Sequence, residues 1–176
     1  MYAWVTHTME IEVKILNINK ADVVRTLHAL GAKKTFEGTV HSYFYDFDDK
    51  RLGHEDKILR IRMLGQTALL TLKKRVSKKK AKIMHEHEIR VSDRDILMSI
   101  LSDLGLSVWD ADKKTRTSYE LDTVHVDIDT IPGIPSFLEI EAPNLQTLKD
   151  YVKKLGFSMK HAKPWSRQDL LDHYQH

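Results

Sequence analysis

The sequence predicts an α+β fold in which a mainly antiparallel sheet closes on itself and helices pack on its outside. Three observations carry this. Charged and aliphatic residues alternate along most strand-like segments, which gives each strand one charged and one apolar face. Amphipathic stretches with recognisable caps interrupt the strands. Most connections between strands are too short for a parallel crossover. A closed sheet has one interior, so every strand must choose which stripe turns inward. The helices need apolar surface to pack on, so the charged stripes take the interior.

The elements follow in order. Residues 8–16 read as a strand with Glu10, Glu12 and Lys14 on one face and Ile11, Val13 and Ile15 on the other. A helix near 20–30 starts after Asn19, buries Val23, Val24, Leu27 and Leu30, and stops at Gly31. Strands are expected near 33–47, 57–64 and 67–76. The second of these carries Arg60 and Arg62, and the third carries Thr71, Lys73 and Arg75. Residues 75–82, RVSKKKAK, read as a charged connection. A strand near 83–92 bears Glu86 and Glu88 and leads to a helix near 93–104, capped by Ser92 or Asp93 and stopped by Gly105. Strands near 107–120, with Lys114 and Arg116, and near 123–130 come next. After the turn IPGIPS, a strand near 137–142 bears Glu139 and Glu141. A helix near 144–155 runs from Asn144 to Gly156, and a short helix begins near Ser166. The order Glu-x-Glu, helix, Leu-Gly occurs three times, ending at Gly31, Gly105 and Gly156. The whole chain, 1–176, is expected to form a single domain.

Apolar residues make up 41% of the chain and charged residues 30%, the balance of a soluble globular protein. No apolar run is long enough to cross a bilayer, and the first residues lack a secretory pattern, so a cytoplasmic location is expected. The absence of cysteine excludes disulfides and thiolate metal sites. The net charge of +3 does not argue for nucleic acid; the segregated strips argue for a site that holds anions and cations together. Six carboxylates in one interior repel, since like charges about 4 Å apart cost on the order of 4 kcal/mol at an effective dielectric near 20. Hard divalent cations relieve this, with Mg²⁺ or Mn²⁺ suited to all-oxygen ligands. On that reading Glu12→Gln and Glu139→Gln relieve repulsion and leave the fold intact. The Lys and Arg strips need anions, and a polyphosphate with bound metal satisfies both sets. No GxxxxGK[ST] or GxGxxG motif is present.

Glu10-x-Glu12-x-Lys14 resembles the ExExK signature of the CYTH domain family, the triphosphate tunnel metalloenzymes. Arg60-Ile61-Arg62, Leu70-Thr71-Leu72-Lys73, Glu86-x-Glu88, Lys114-x-Arg116 and Phe137-Leu138-Glu139-Ile140-Glu141 follow in the family's order, so the resemblance spans nearly the whole chain. It implies an eight-stranded antiparallel barrel forming a tunnel. It implies that Arg60, Arg62, Lys73, Lys114 and Arg116 grip a triphosphate and that Lys14 reaches a terminal phosphate. It implies that Glu10, Glu12, Glu139, Glu141 and Asp129 hold metal; Asp127 shares the parity of Asp129 and stays a candidate. Lys14, Glu12 and Glu139 are the expected catalytic set. Glu86 and Glu88 either bind metal or orient basic residues.

The expected activity is metal-dependent hydrolysis of tripolyphosphate, ATP or thiamine triphosphate by a monomer or homodimer. One alternative is a class IV adenylyl cyclase, although the His-Phe pair that precedes the first-strand motif in such cyclases is missing here. A non-catalytic binder of polyphosphate or RNA ends is the third reading; its mark would be basic strips without paired acids. His85 and His87 face away from Glu86 and Glu88. Lys78, Lys79 and Lys80 read as solvated loop or anion-steering charge, and Tyr119 and Trp165 as core or rim packing.

Overall fold

The computed structural model describes residues 5–175, with side chains described for 9–174. Residues 1–4, part of the segment read as lacking a secretory pattern, lie outside the described residues. The strands are β1 (Val5–Ile15), β2 (Lys33–Asp46), β3 (Lys57–Leu64), β4 (Thr67–Ser77), β5 (Lys82–Val91), β6 (Ser107–Leu121), β7 (Val124–Thr130), β8 (Phe137–Ala142) and β9 (Ala162–Lys163). The helices are α1 (Lys20–Ala29), α2 (Arg51–His54), α3 (Arg94–Asp103), α4 (Leu145–Lys154) and α5 (Arg167–Gln175). The sheet runs β5-β4-β3-β2-β6-β7-β8-β1-β9, and β5 also pairs with β1. Eight strands therefore form a closed antiparallel barrel, as expected, and β9 adds two residues beside Lys14 and Ile15.

The helix caps explain why α1, α3 and α4 begin and end where they do. Asn19 accepts from the backbone N–H of Ala21 and Asp22, Asp93 from those of Asp95 and Ile96, and Asn144 from that of Thr147. Gly31, Gly105 and Gly156 each adopt positive φ just beyond the last turn, a conformation that costs glycine little. The threefold sequence echo is thus a repeated helix-stop device. Leu30 is not part of the buried stripe of α1. It is the C-cap residue and 38% exposed.

Two further differences from the sequence reading have local causes. The charged connection is shorter than 75–82, because β4 continues to Ser77 and β5 starts at Lys82. The short α2 has no amphipathic signature. It forms because the Asp46 carboxylate accepts from the N–H groups of Phe47, Leu52 and Gly53, which gathers the turn around one buried acid.

The fold contains two compact units, each discontinuous in sequence. One comprises residues 5–9, 39–75 and 84–113. Its core holds Tyr45, Ile61, Leu101 and Leu106, with Leu97 and Met98 of α3 and the strand residues Tyr43, Leu59 and Leu70 packed against it. The other comprises residues 10–38, 76–83 and 114–175. Its main core joins Ile11, Val13 and Ile15 of β1 to Val126, Ile128, Leu138 and Ile140, and covers them with Val23 and Leu27 of α1 and Leu148 and Val152 of α4. In each unit the helices take the aliphatic stripes, which leaves the charged stripes on the opposite faces of the same strands.

Candidate active site

The register in the second unit places acids and bases in direct opposition. Lys14 lies opposite Glu139, and Glu139 opposite Asp127. Glu12 lies opposite Glu141, and Arg116 opposite Asp129. Directly opposed residues share a face, with Cβ atoms about 4.5–5.5 Å apart. Two-residue alternation therefore carries Glu10, Glu12, Lys14, Lys114, Arg116, Asp127, Asp129, Glu139 and Glu141 to one face.

Lys14 is the centre of one ion-pair network. Its Nζ lies 2.6 Å from Glu139 Oε1 and 3.2 Å from Glu12 Oε1, with only 3% of the residue exposed. Burial pushes its pKa down, but the Glu12 and Glu139 carboxylates outweigh burial and raise it above the usual lysine value. Burial likewise works against the Glu139 charge. Lys114, Lys14 and Arg116 overcome it and hold the carboxyl well below the usual range. Both groups are therefore fixed charges near neutral pH.

Arg116 is the centre of a second network. Its Nε and Nη2 donate to Asp129 at 2.7 and 2.6 Å, Nη2 also donates to Glu139 at 2.6 Å, and Nη1 pairs with Asp127. Lys114 adds a 2.5 Å contact to Asp129, which is fully buried. Burial lowers the pKa of Arg116, and Asp127, Asp129 and Glu139 raise it well above its usual value. Asp129 thus anchors two cations here.

Sequence reading missed Lys82. Its Nζ lies 2.8 Å from Glu12 Oε1, the oxygen that Lys14 also approaches. Reading residues 75–82 as a connection hid it. Lys82 shares parity with Glu86 and Glu88, and that was the available signal.

The first unit has its own charged face. Arg60 lies opposite Thr71 and Phe44, and Arg62 opposite Ser42. Arg62 Nη2 donates to Glu88 Oε2 at 2.9 Å, and Thr71 Oγ1 donates to the same oxygen at 2.8 Å. Lys73 pairs with Glu86. Glu86 and Glu88 therefore each pair with a basic side chain of this face. Lys74 is exposed, opposite in facing to Lys73, and Arg75 leaves the stripe to pair with Asp56 at the surface. His85 and His87 are exposed, and Lys78 pairs with Asp169 of α5 while Lys79 and Lys80 are solvated.

The donor chemistry suits a hard divalent cation, because the second unit's face offers carboxylates and no thiolate. Glu10, Glu12, Asp127, Asp129, Glu139 and Glu141 outnumber Lys14, Lys82, Lys114 and Arg116 there. Glu12, Asp127, Asp129 and Glu139 are turned to these cations, however. Among the described residues no three carboxylates or imidazoles converge as a coordination set. The repulsion anticipated from sequence is offset by the interleaved Lys and Arg.

Comparison with known proteins matches this architecture. A Methanocaldococcus jannaschii protein named as a candidate adenylate cyclase is 27% identical over 133 residues, covering 76% of each chain. The structure of a candidate adenylate cyclase from Vibrio parahaemolyticus superposes with a TM-score of 0.84 at 18% identity, covering 95% of this chain and 99% of that one. A Hippeastrum protein described as a candidate adenylyl cyclase with a dominant triphosphatase activity superposes with a TM-score of 0.64 at 16% identity, covering 94% and 96%. The CYTH domain profile matches residues 8–163. This chain belongs to the CYTH domain family.

Proposed function

We infer that the protein is a divalent-metal-dependent phosphohydrolase acting on a triphosphate. The observation that carries this is the buried Lys14 ammonium shared by Glu12 and Glu139, a fixed cation within an acid-rich set. Solvation does not explain such a group, whereas a substrate that brings phosphate and metal together matches both charges. Glu10, Glu12, Glu139 and Glu141, with Asp127 and Asp129 as further candidates, would hold Mg²⁺ or Mn²⁺. Bound there, the metal would neutralise phosphate charge and activate water.

The chain's own residues have separable tasks. Lys14, placed between Glu12 and Glu139, would take the terminal phosphate and stabilise charge that builds during its transfer. Asp129 holds Lys114 and Arg116 in place, which limits their loss of side-chain freedom on meeting a phosphate. Arg60, Arg62 and Lys73 would engage phosphate oxygens, with Glu86 and Glu88 orienting Lys73 and Arg62. Lys14 is held protonated by its two carboxylates, so it does not act as a general base.

The second reading is an adenylyl cyclase, favoured by the names of the Methanocaldococcus and Vibrio relatives. In it the ribose 3′-hydroxyl attacks the α-phosphorus and pyrophosphate leaves. Incubation with Mg²⁺ or Mn²⁺ and each of tripolyphosphate, ATP and thiamine triphosphate separates the readings. Orthophosphate without cyclic AMP supports the hydrolase; cyclic AMP with stoichiometric pyrophosphate supports the cyclase.

A further inference from the structure

Tyr119 is buried in the main core, and Trp165 packs with Leu170 and Phe137. Trp109 is different. It stands near the start of β6 with 49% of its surface exposed, outside the hydrophobic core of its unit. Its ring lies 6.2 Å from that of Phe44, tilted by 52°, and Lys50 Nζ lies 5.5 Å from the indole centre. Phe44 in turn lies directly opposite Arg60 across β2 and β3. An exposed indole is thus linked through one aromatic ring to the row that carries a basic residue assigned to phosphate.

We propose that Trp109 and Phe44 form the stacking platform for the neutral base of a nucleoside triphosphate whose phosphates engage Arg60. The inference rests on the triphosphate reading above and names its substrate class. Opposed residues on neighbouring strands are separated by about 5 Å. A base on the aromatic pair and a phosphate on Arg60 are then divided by a gap that suits the sugar. Inorganic tripolyphosphate has nothing to stack. A thiazolium ring would bring positive charge towards Lys50 and Arg60. Adenine is neutral and offers ring nitrogens that a Lys50 ammonium can donate to.

Calorimetric titration with Mg²⁺ and the β,γ-imido analogue of ATP, tripolyphosphate or thiamine triphosphate tests the assignment in wild type, Trp109→Leu, Trp109→Phe and Arg60→Ala. Trp109→Leu should weaken the ATP analogue roughly tenfold, the effect of losing one stacked base. Trp109→Phe should recover most of the loss, and tripolyphosphate affinity should move less than twofold in both variants. Equal weakening of the ATP analogue and tripolyphosphate, an unchanged ATP analogue, or selective weakening of thiamine triphosphate would each overturn the nucleobase assignment. Arg60→Ala should weaken every ligand. If it weakens none, Arg60 is not a phosphate ligand and the platform loses its link to the substrate. If wild type binds none of the three, the triphosphate reading itself fails.

Discussion

Burial works against the charge on Lys14, yet two carboxylates keep it protonated, and the consequence is a defined pH window. Because its folded pKa is raised, its contribution to stability is complete below about pH 10.5 and lost only at higher pH. Glu139 is shifted down, so its contribution is complete above about pH 4.5 and lost as pH falls. Stability should therefore show no inflection from these two groups between about pH 5 and 10, which thermal melts across that range will check. The pairing also changes what Glu139→Gln does. Sequence reasoning favoured an intact fold through relief of repulsion. In the structure the substitution leaves the buried Lys14 and Arg116 short of a charged partner, and breaking such a pair costs about 3–5 kcal/mol. A lowered urea midpoint with a loss of turnover of at least about a hundredfold is expected; an unchanged midpoint would mean that the pairing contributes little. Lys73 and Lys74 supply a matched control. Lys73→Ala should weaken triphosphate binding by roughly 1.5–3 kcal/mol, the worth of a charge-assisted contact, whereas exposed Lys74→Ala should change it by about 0–1 kcal/mol. A larger effect at Lys74 would place the binding face on the wrong side of β4. The facing of both residues was legible from two-residue alternation. The ion-pair partners were not, because which acid meets Arg116 depends on the register of β6, β7 and β8, and a strand's own sequence does not encode its neighbour's offset.

At the scale of elements, α5 is the test of a contact that no local pattern announced. Leu170 is fully buried against Phe137 and Ile134, and Asp169 joins Ser166 to Lys78 of the β4–β5 connection. Leu170→Ala should cost about 2–5 kcal/mol, read as a fall in the unfolding midpoint. A cost below about 1 kcal/mol would mean that α5 is only loosely docked. Burial pushes the Asp169 carboxyl up, but its hydrogen bonds with Lys78 and Ser166 outweigh this and bring it down to about 2. Its contribution is thus present above about pH 4 and lost as pH falls toward 2, and Asp169→Asn should flatten that part of the acid limb. Helices α1, α3 and α4 were readable because Asn19, Asp93 and Asn144 cap them and glycines stop them. The long strands were readable from alternation. Helix α2 escaped because a tertiary acceptor, Asp46, creates it, and β9 escaped because two residues carry no period and exist only by pairing with β1.

At the scale of the molecule, the closed barrel removes the free edges that an open sheet would leave, and the helices cover its apolar stripes. What remains is a face rich in carboxylates in one unit and a face carrying Arg60, Arg62 and Lys73 in the other. A ligand that engages such charges binds the folded chain and not the unfolded one. At a hundred times its dissociation constant, tripolyphosphate with Mg²⁺ should add about 2.7 kcal/mol, a rise of roughly 5–10 °C in melting temperature for a chain of this size. A melting temperature unmoved under those conditions would exclude a specific site for it. The most direct test of the central claim follows tripolyphosphate and ATP by phosphorus NMR in the presence of the protein, with Mg²⁺ and then with excess EDTA. The account predicts terminal phosphate released as orthophosphate with Mg²⁺ and turnover abolished by EDTA. Undiminished release in EDTA, or no release from either triphosphate with Mg²⁺ present, would contradict it.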